Sequence, residues 1–240
     1  MIRRIKPLVF LIRYFRGVLG LTPAALTLIR QKRITPSIIR QYLNNSTPEK
    51  KLHIGCQHHI LTNWLNVDLI PSLSDVAYLD ATKAFPLPSD SFDCVFSEHM
   101  IEHINLEQGA HMLRECNRVL KPGGRIRLVT PDITLMQNLL NDPGLADHAA
   151  YIEFSRRYFT NSIVFNEVVV VNNFFRDWGH QFIYNEATLG CLLQMTGFRN
   201  IVRGQVGVSQ DPVLNGLENH HLEITNRFNR MESLVMEAIK

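Results

Sequence analysis

Residues 92–130 read FDCVFSEHMIEHINLEQGAHMLRECNRVLKPGGRIRLVT, and this stretch decides the fold. Phe92–Ser97 is a short apolar run of strand character. Leu106, Ala110, Leu113, Cys116, Asn117 and Leu120 then recur at helical spacing over Leu106–Leu120, which predicts a helix with one apolar face. Lys121-Pro122-Gly123-Gly124 ends it, since proline cannot continue a helix and glycine accepts the geometry of the turn. Gly124–Thr130 is strand-like again. A strand, a helix and a second strand in succession predict a parallel pair joined by a helical crossover.

The same alternation extends on the N-terminal side. Lys51–Ile54, Leu65–Leu69 and Val76–Leu79 read as three more strands, ending at Gly55, Asp68 and Asp80. Ligands of a parallel sheet bind beyond the carboxyl ends of its strands. Gly55, Asp68, Asp80 and Ser97 to His99 are therefore expected on one rim. A glycine after the first strand lets a ligand approach the backbone, and an acid ending the second can accept hydrogen bonds from ribose hydroxyls. Capping a helix is the alternative role for Asp68, as it is for Asp132 in Thr130-Pro131-Asp132.

Taken in order, Asp80, Phe85-Pro86-Leu87-Pro88, Asp90-Ser91-Phe92-Asp93, Glu98-His99 and Arg118-Val119-Leu120-Lys121-Pro122-Gly123-Gly124 resemble the class I S-adenosylmethionine-dependent methyltransferases, in particular the small bacterial-type group. The resemblance covers residues 50–132, with an echo in Tyr184 to Val202 that looks like the family's late helix, Gly-Phe turn and sixth strand; Ser233–Ile239 would be its last, antiparallel strand. It implies an α/β, Rossmann-like, mostly parallel sheet with helices on both faces, and S-adenosyl-L-methionine as cofactor. By resemblance, Gly55 lines the methionine part, Asp68 with Leu69 holds the ribose, Asp80 and Ala81 bracket the adenine, and Ser97, Glu98 and His99 close over the sulfonium. One departure stands out. Gln57-His58-His59 occupies positions where the family has further glycines, and the short step to Asp68 leaves little room for a helix. A catalytically inactive fold kept as a binding or scaffold protein is the alternative this departure leaves open.

Methyl transfer asks the protein for alignment and, with a hydroxyl acceptor, removal of a proton. His99 and His180, the latter in Trp178-Gly179-His180, are the candidate bases. His99-Met100-Ile101-Glu102-His103 also spells an inverted zinc-hydrolase signature, which requires both histidines on one helical face. The run follows directly on a strand, so the reading adopted here has no metal.

Residues 141–180 form the most aromatic part of the chain, with Tyr151, Phe154, Tyr158, Phe159, Phe165, Phe174, Phe175 and Trp178 beside Arg156, Arg157 and Arg176. A helical cap insertion with its own small core is one reading, and an acceptor site is the other. The resemblance implies a small-molecule or glycan acceptor, including a lipid-linked saccharide.

The net charge of +3 conceals an asymmetry. Residues 1–51 hold eleven Lys/Arg and one acid, a charge of +10, which leaves −7 for the rest. The expected organisation is a basic amphipathic segment over 1–43 and one methyltransferase-like domain over 44–240. Leu8–Ile12 is far too short to span a membrane and lacks the features of a secretory signal. The basic segment reads as a lid, as a helix attracted to anionic lipid through residues 1–22, or as a nucleic-acid arm. Large aliphatics between the arginines disfavour the arm, and the acidic remainder would repel a phosphate backbone. Four scattered cysteines without a Cys-x-x-Cys pair are expected as buried free thiols in a cytoplasmic protein, with contact at the inner membrane surface as an option.

Overall fold

The computed structural model describes residues 22–71, 73–158, 163–220 and 224–240. The first basic amphipathic stretch, and with it the lipid contact, lies outside the described residues, as does Phe159.

Helix α1 spans Pro23–Leu43, starting at Thr22, whose hydroxyl accepts from the Ala25 N–H, with Pro23 in the first turn. Then follow β1 (Lys51–Ile54), β2 (Leu65–Asp68), β3 (Ala77–Tyr78), β4 (Phe92–Glu98), a 3₁₀ turn (Ile101–His103), α2 (Leu106–Val119) and β5 (Leu120–Pro131). Helices α3 (Ile133–Asn141), α4 (Ala146–Ser155), α5 (Glu167–Arg176) and α6 (Glu186–Met195) precede β6 (Arg199–Arg203). Last come α7 (Asn226–Glu232) and β7 (Ser233–Ile239).

The seven strands lie in the order β3-β2-β1-β4-β5-β7-β6. β1 to β5 pair in parallel, and β7 runs antiparallel to both β5 and β6. β5 starts earlier than its sequence suggests because Leu120 already pairs with Phe92, with the Pro-Gly-Gly segment forming an irregularity between that pair and Cys94–Arg125. No helix joins β1 to β2; residues 55–64 are turns.

Alternation along the strands sorts side chains into two layers. Leu52, Ile54, Val95, Ile126, Leu128, Leu234 and Met236 face α1, α2 and α6 in the main core. Trp64, Cys94, Phe96, Val129 and Val235 face the opposite way, covered by Leu61, Val206, Val213 and Leu214 from connecting segments. A third apolar cluster joins Leu135, Met136, Leu139, Tyr151, Val170, Val171, Phe174 and Phe228, so α3, α4, α5 and α7 pack into a helical cap with a core of its own.

Several family-motif residues brace this frame. Arg118 donates to the carbonyls of Phe85 (3.1 Å) and Leu87 (2.9 Å), and the Glu115 carboxylate accepts from the Phe85 N–H. Lys121 reaches both oxygens of Asp93 at 2.9 and 2.8 Å. Cys56, Cys94 and Cys116 are buried thiols, but Cys191 is exposed, contrary to expectation, because it occupies the outer side of α6. Among the described residues no helix is long and apolar enough to cross a membrane.

Candidate active site

At the end of β1 the chain turns at Gly55, with φ +74°; a Cβ there would sit 2.5 Å from Cγ of Met100, so only glycine fits. Gln57 takes φ +44°, a left-handed conformation that favours glycine. Its N–H donates to Oδ2 of Asp68 at 2.9 Å, while Oδ1 accepts from the Ile70 N–H at 2.8 Å. The loop thus keeps a glycine-like backbone without the glycines, pinned by Asp68. Asp68 caps no helix. Asp80 accepts from the Thr82 N–H and hydroxyl in a tight turn. Leu69 is half exposed, whereas Ala81 belongs to the main core. The Ser97 hydroxyl is buried and makes no hydrogen bond to protein.

β4 delivers the polar cluster. Beyond Glu98, His99 adopts φ +46° and donates its N–H to the Val129 carbonyl. Its Nδ1 lies 3.2 Å from Oε1 of Glu102, which is fully buried and accepts the Thr130 hydroxyl at 3.0 Å through Oε2. Burial opposes a charge on His99, but the Glu102 bond with the charges of Glu102, Glu232 and Glu98 outweighs it and lifts the pKa to about 9. Burial likewise opposes the charge on Glu102, and the bond to His99 overcomes it, holding the carboxyl below its ordinary value. Glu98 accepts from the N–H groups of Asn219 and His220 and lies 3.7 Å from Nδ1 of His59; these offset its burial and hold its pKa low.

His180 is the opposite case. Its Nδ1 is 2.7 Å from the Phe174 carbonyl, which only a protonated Nδ1 can satisfy, and burial lowers its pKa. The ring is neutral in neutral water, with the lone pair on Nε2. Trp178 (φ +56°) and Gly179 (φ +79°) make the turn that brings it edge-on to His103, ring centroids 5.0 Å apart.

These groups line a cavity of about 660 Å³ between the sheet ends and the cap. Gly55, Glu98, His99 and His180 are brought together there; Asp68, Leu69, Asp80, Ala81 and Ser97 lie outside its wall. Asp132 does not line it: one oxygen caps the Thr134 N–H and the other takes Arg203 at 2.8 Å. Seven of the ten histidines contribute to the wall, with Tyr151, Phe154, Tyr158, Phe174 and Trp178 on the cap side. Such walls suit a polar ligand with flat faces.

The inverted zinc signature does not form. Only the three-residue 3₁₀ turn follows His99, and His99 and His103 fall in different clusters: His99 with His220 and Glu232, His103 with Glu102 and His180. Sequence reasoning missed His220 and Glu232, which carry no motif and reach the cavity only through α7 and the β7 return; Tyr151 lies in the aromatic stretch that the sequence sets apart.

Residues 52–128 match a family model described as a methyltransferase domain. No curated protein matches the chain. Among solved structures, a SAM-dependent methyltransferase from Archaeoglobus fulgidus is 17% identical over 87% of this chain and 94% of its own, with a TM-score of 0.48. One from Mesorhizobium loti is 17% identical over 85% and 96%, with a TM-score of 0.48. Phosphoethanolamine N-methyltransferase 2 of Haemonchus contortus, solved with S-adenosyl-L-methionine, is 15% identical over 87% and 52%, with a TM-score of 0.46. The matched residues 52–128 run from β1 into β5, the parallel half of the sheet with its carboxyl-end rim, so that this part of the chain is similar to a methyltransferase domain.

Proposed function

We propose that this protein methylates an oxygen or nitrogen of a small-molecule or glycan acceptor held between the sheet and the helical cap. The observation that carries the reading is the neutral His180 in the wall of a polar, aromatic-lined cavity at the carboxyl ends of the parallel strands. When bound, S-adenosyl-L-methionine supplies an activated methyl: the new bond to the acceptor forms as the carbon–sulfur bond breaks, its electron pair staying on sulfur.

The residues present fit that cofactor. Asp68 keeps lone pairs on both oxygens for ribose hydroxyls after accepting two N–H groups. Exposed Leu69 and Ile70 beside it offer apolar surface to a flat base. Asp80 with Ala81 borders the same side, the unpartnered Ser97 hydroxyl supplies a polar contact, and Gly55 with residues 57–59 and Glu98 faces the methionine end.

The protein's own chemical task is the acceptor proton. His180 Nε2 takes it, because the Phe174 carbonyl holds the ring's proton on Nδ1 and leaves the lone pair on Nε2. Trp178, half exposed on the cap side of the wall, offers a ring on which a saccharide would stack.

Titrating S-adenosyl-L-methionine into the full-length protein tests the cofactor half. Asp68→Asn, which removes the charge but keeps an oxygen for the backbone, should weaken binding about tenfold or more, ~1.4 kcal/mol. Labelled methyl transfer to a panel of saccharides and lipid-linked saccharides tests the acceptor. No binding heat at millimolar cofactor, or label passing only to carbon, would overturn the reading.

A further inference from the structure

We propose that His99, His220 and Glu232 bind a divalent transition-metal ion of the zinc, iron(II) or manganese(II) class in the wall of the same cavity. The three come from the end of β4, the segment before α7 and the last residue of α7. One ring nitrogen from each histidine and one oxygen of Glu232 lie within 4.8 Å of one another. Ligands about 2.0–2.1 Å from a tetrahedral ion stand roughly 3.4 Å apart, so closure needs side-chain movements on the order of 1 Å. The distance from His220 Nε2 to Glu232 Oε1 is already 3.0 Å.

His99 carries the argument furthest. With Nδ1 held by Glu102, the nitrogen left for another partner is Nε2, which is buried and has no hydrogen-bond partner; the ion would take the place of the proton on that nitrogen. Buried polar atoms are rarely left this way, and a metal ion satisfies Nε2 where nothing in the protein does. The surroundings have the form of a metal site's outer shell. Glu102 orients the His99 ring and is fixed by Thr130; Tyr151 holds the second oxygen of Glu232; and Glu98 grips the backbone N–H of His220. Three carboxylates around the cluster favour a cation. Two imidazoles and one carboxylate are a borderline donor set, which suits these ions better than magnesium or calcium.

The neighbouring group of Glu102, His103 and His180 is a weaker claimant, since both oxygens of Glu102 and Nδ1 of His180 are already bonded. Three protein ligands leave coordination positions for a water or for an acceptor hydroxyl, whose proton such an ion makes easier to remove. That use rests on the methyltransferase reading above; the site itself does not.

The test uses full-length protein stripped with a chelator, then titrated with Co²⁺ by visible absorption and with Zn²⁺ by calorimetry. One equivalent should bind. His220→Asn and Glu232→Gln should each weaken binding about 100-fold, Glu102→Gln about 10-fold to 100-fold, and His103→Ala should leave it unchanged. Melting curves check each fold, and His220→Asn keeps the test decisive if the buried Glu232 variant fails to fold. No saturable binding, or wild-type affinity in His220→Asn, overturns the proposal. S-adenosyl-L-methionine titrated into the same stripped protein separates the two readings: cofactor binding without metal binding removes this one alone, and metal binding without cofactor binding removes the other.

Discussion

His53 makes the protein sensitive to acid. It lies in β1 with its side chain almost wholly buried, Nδ1 3.1 Å from Oδ1 of Asn66, its ring edge-on to His59 and tilted against Phe96. Burial, helped by the neighbouring His59, pushes its pKa down to about 4 from 6.5, and the bond to Asn66 only partly offsets this. A base with its folded pKa below its unfolded value is protonated first in the unfolded chain. Its contribution to stability is complete above pH 6.5, declines as the pH falls from 6.5 to about 4, and is gone below that. At 1.36 kcal/mol per pKa unit the whole effect is ~3 kcal/mol, and about 2 kcal/mol is lost by pH 5. Urea unfolding followed by circular dichroism at pH 7.5 and pH 5, for wild type and His53→Gln, isolates it, because the other titrating groups cancel in the difference. The wild type should lose about 2 kcal/mol more than the variant. Equal losses would refute the reasoning and mean that His53 is hydrated.

Other consequences concern the loop, the buried ions, the base and the leader. Gln57→Gly relieves a left-handed residue worth roughly 1–2 kcal/mol but adds unfolded-state freedom, so it should stabilise by about 0.5–1 kcal/mol; a lower melting temperature would count against the strain. Glu218→Ala strips the fully buried Arg127 of a partner and should cost about 3–5 kcal/mol in chemical denaturation, a cost under 1 kcal/mol contradicting it. His180→Asn should lower kcat about 10²-fold to 10⁴-fold with cofactor affinity intact. In wild type the acid limb of the kcat profile should fall below pH 6.5, since the pKa of His180 is lowered, and a limb above 6.5 would point to another base. Removing residues 1–22 should reduce flotation with anionic vesicles, and equal partition would dismiss the lipid contact.

Local information made the frame legible. Period-two and helical patterning, with Pro122 and Gly123 as punctuation, mark the strand–helix–strand unit of residues 92–130, whereas Ser233–Ile239 as the last strand is implied by the family resemblance and is the last strand of the structure. Such signals act over a few residues and survive any arrangement of the rest. The most recognisable motif residues, Arg118, Lys121, Asp93 and the Phe85 to Leu87 turn, prove to be braces between β4, α2 and β5 and stand away from the cavity. Only the tertiary structure decided the chemistry. The strand order carries β7 back beside β5 and brings His220 and Glu232 to His99, across more than a hundred residues of chain. It also separated two histidines that look alike in the sequence: His99 lies among carboxylates that favour a positive charge there, whereas His180, anchored to the Phe174 carbonyl in the cap, is left with a lone pair on Nε2. A histidine's charge depends on which groups surround it in space, and no short-range pattern encodes that.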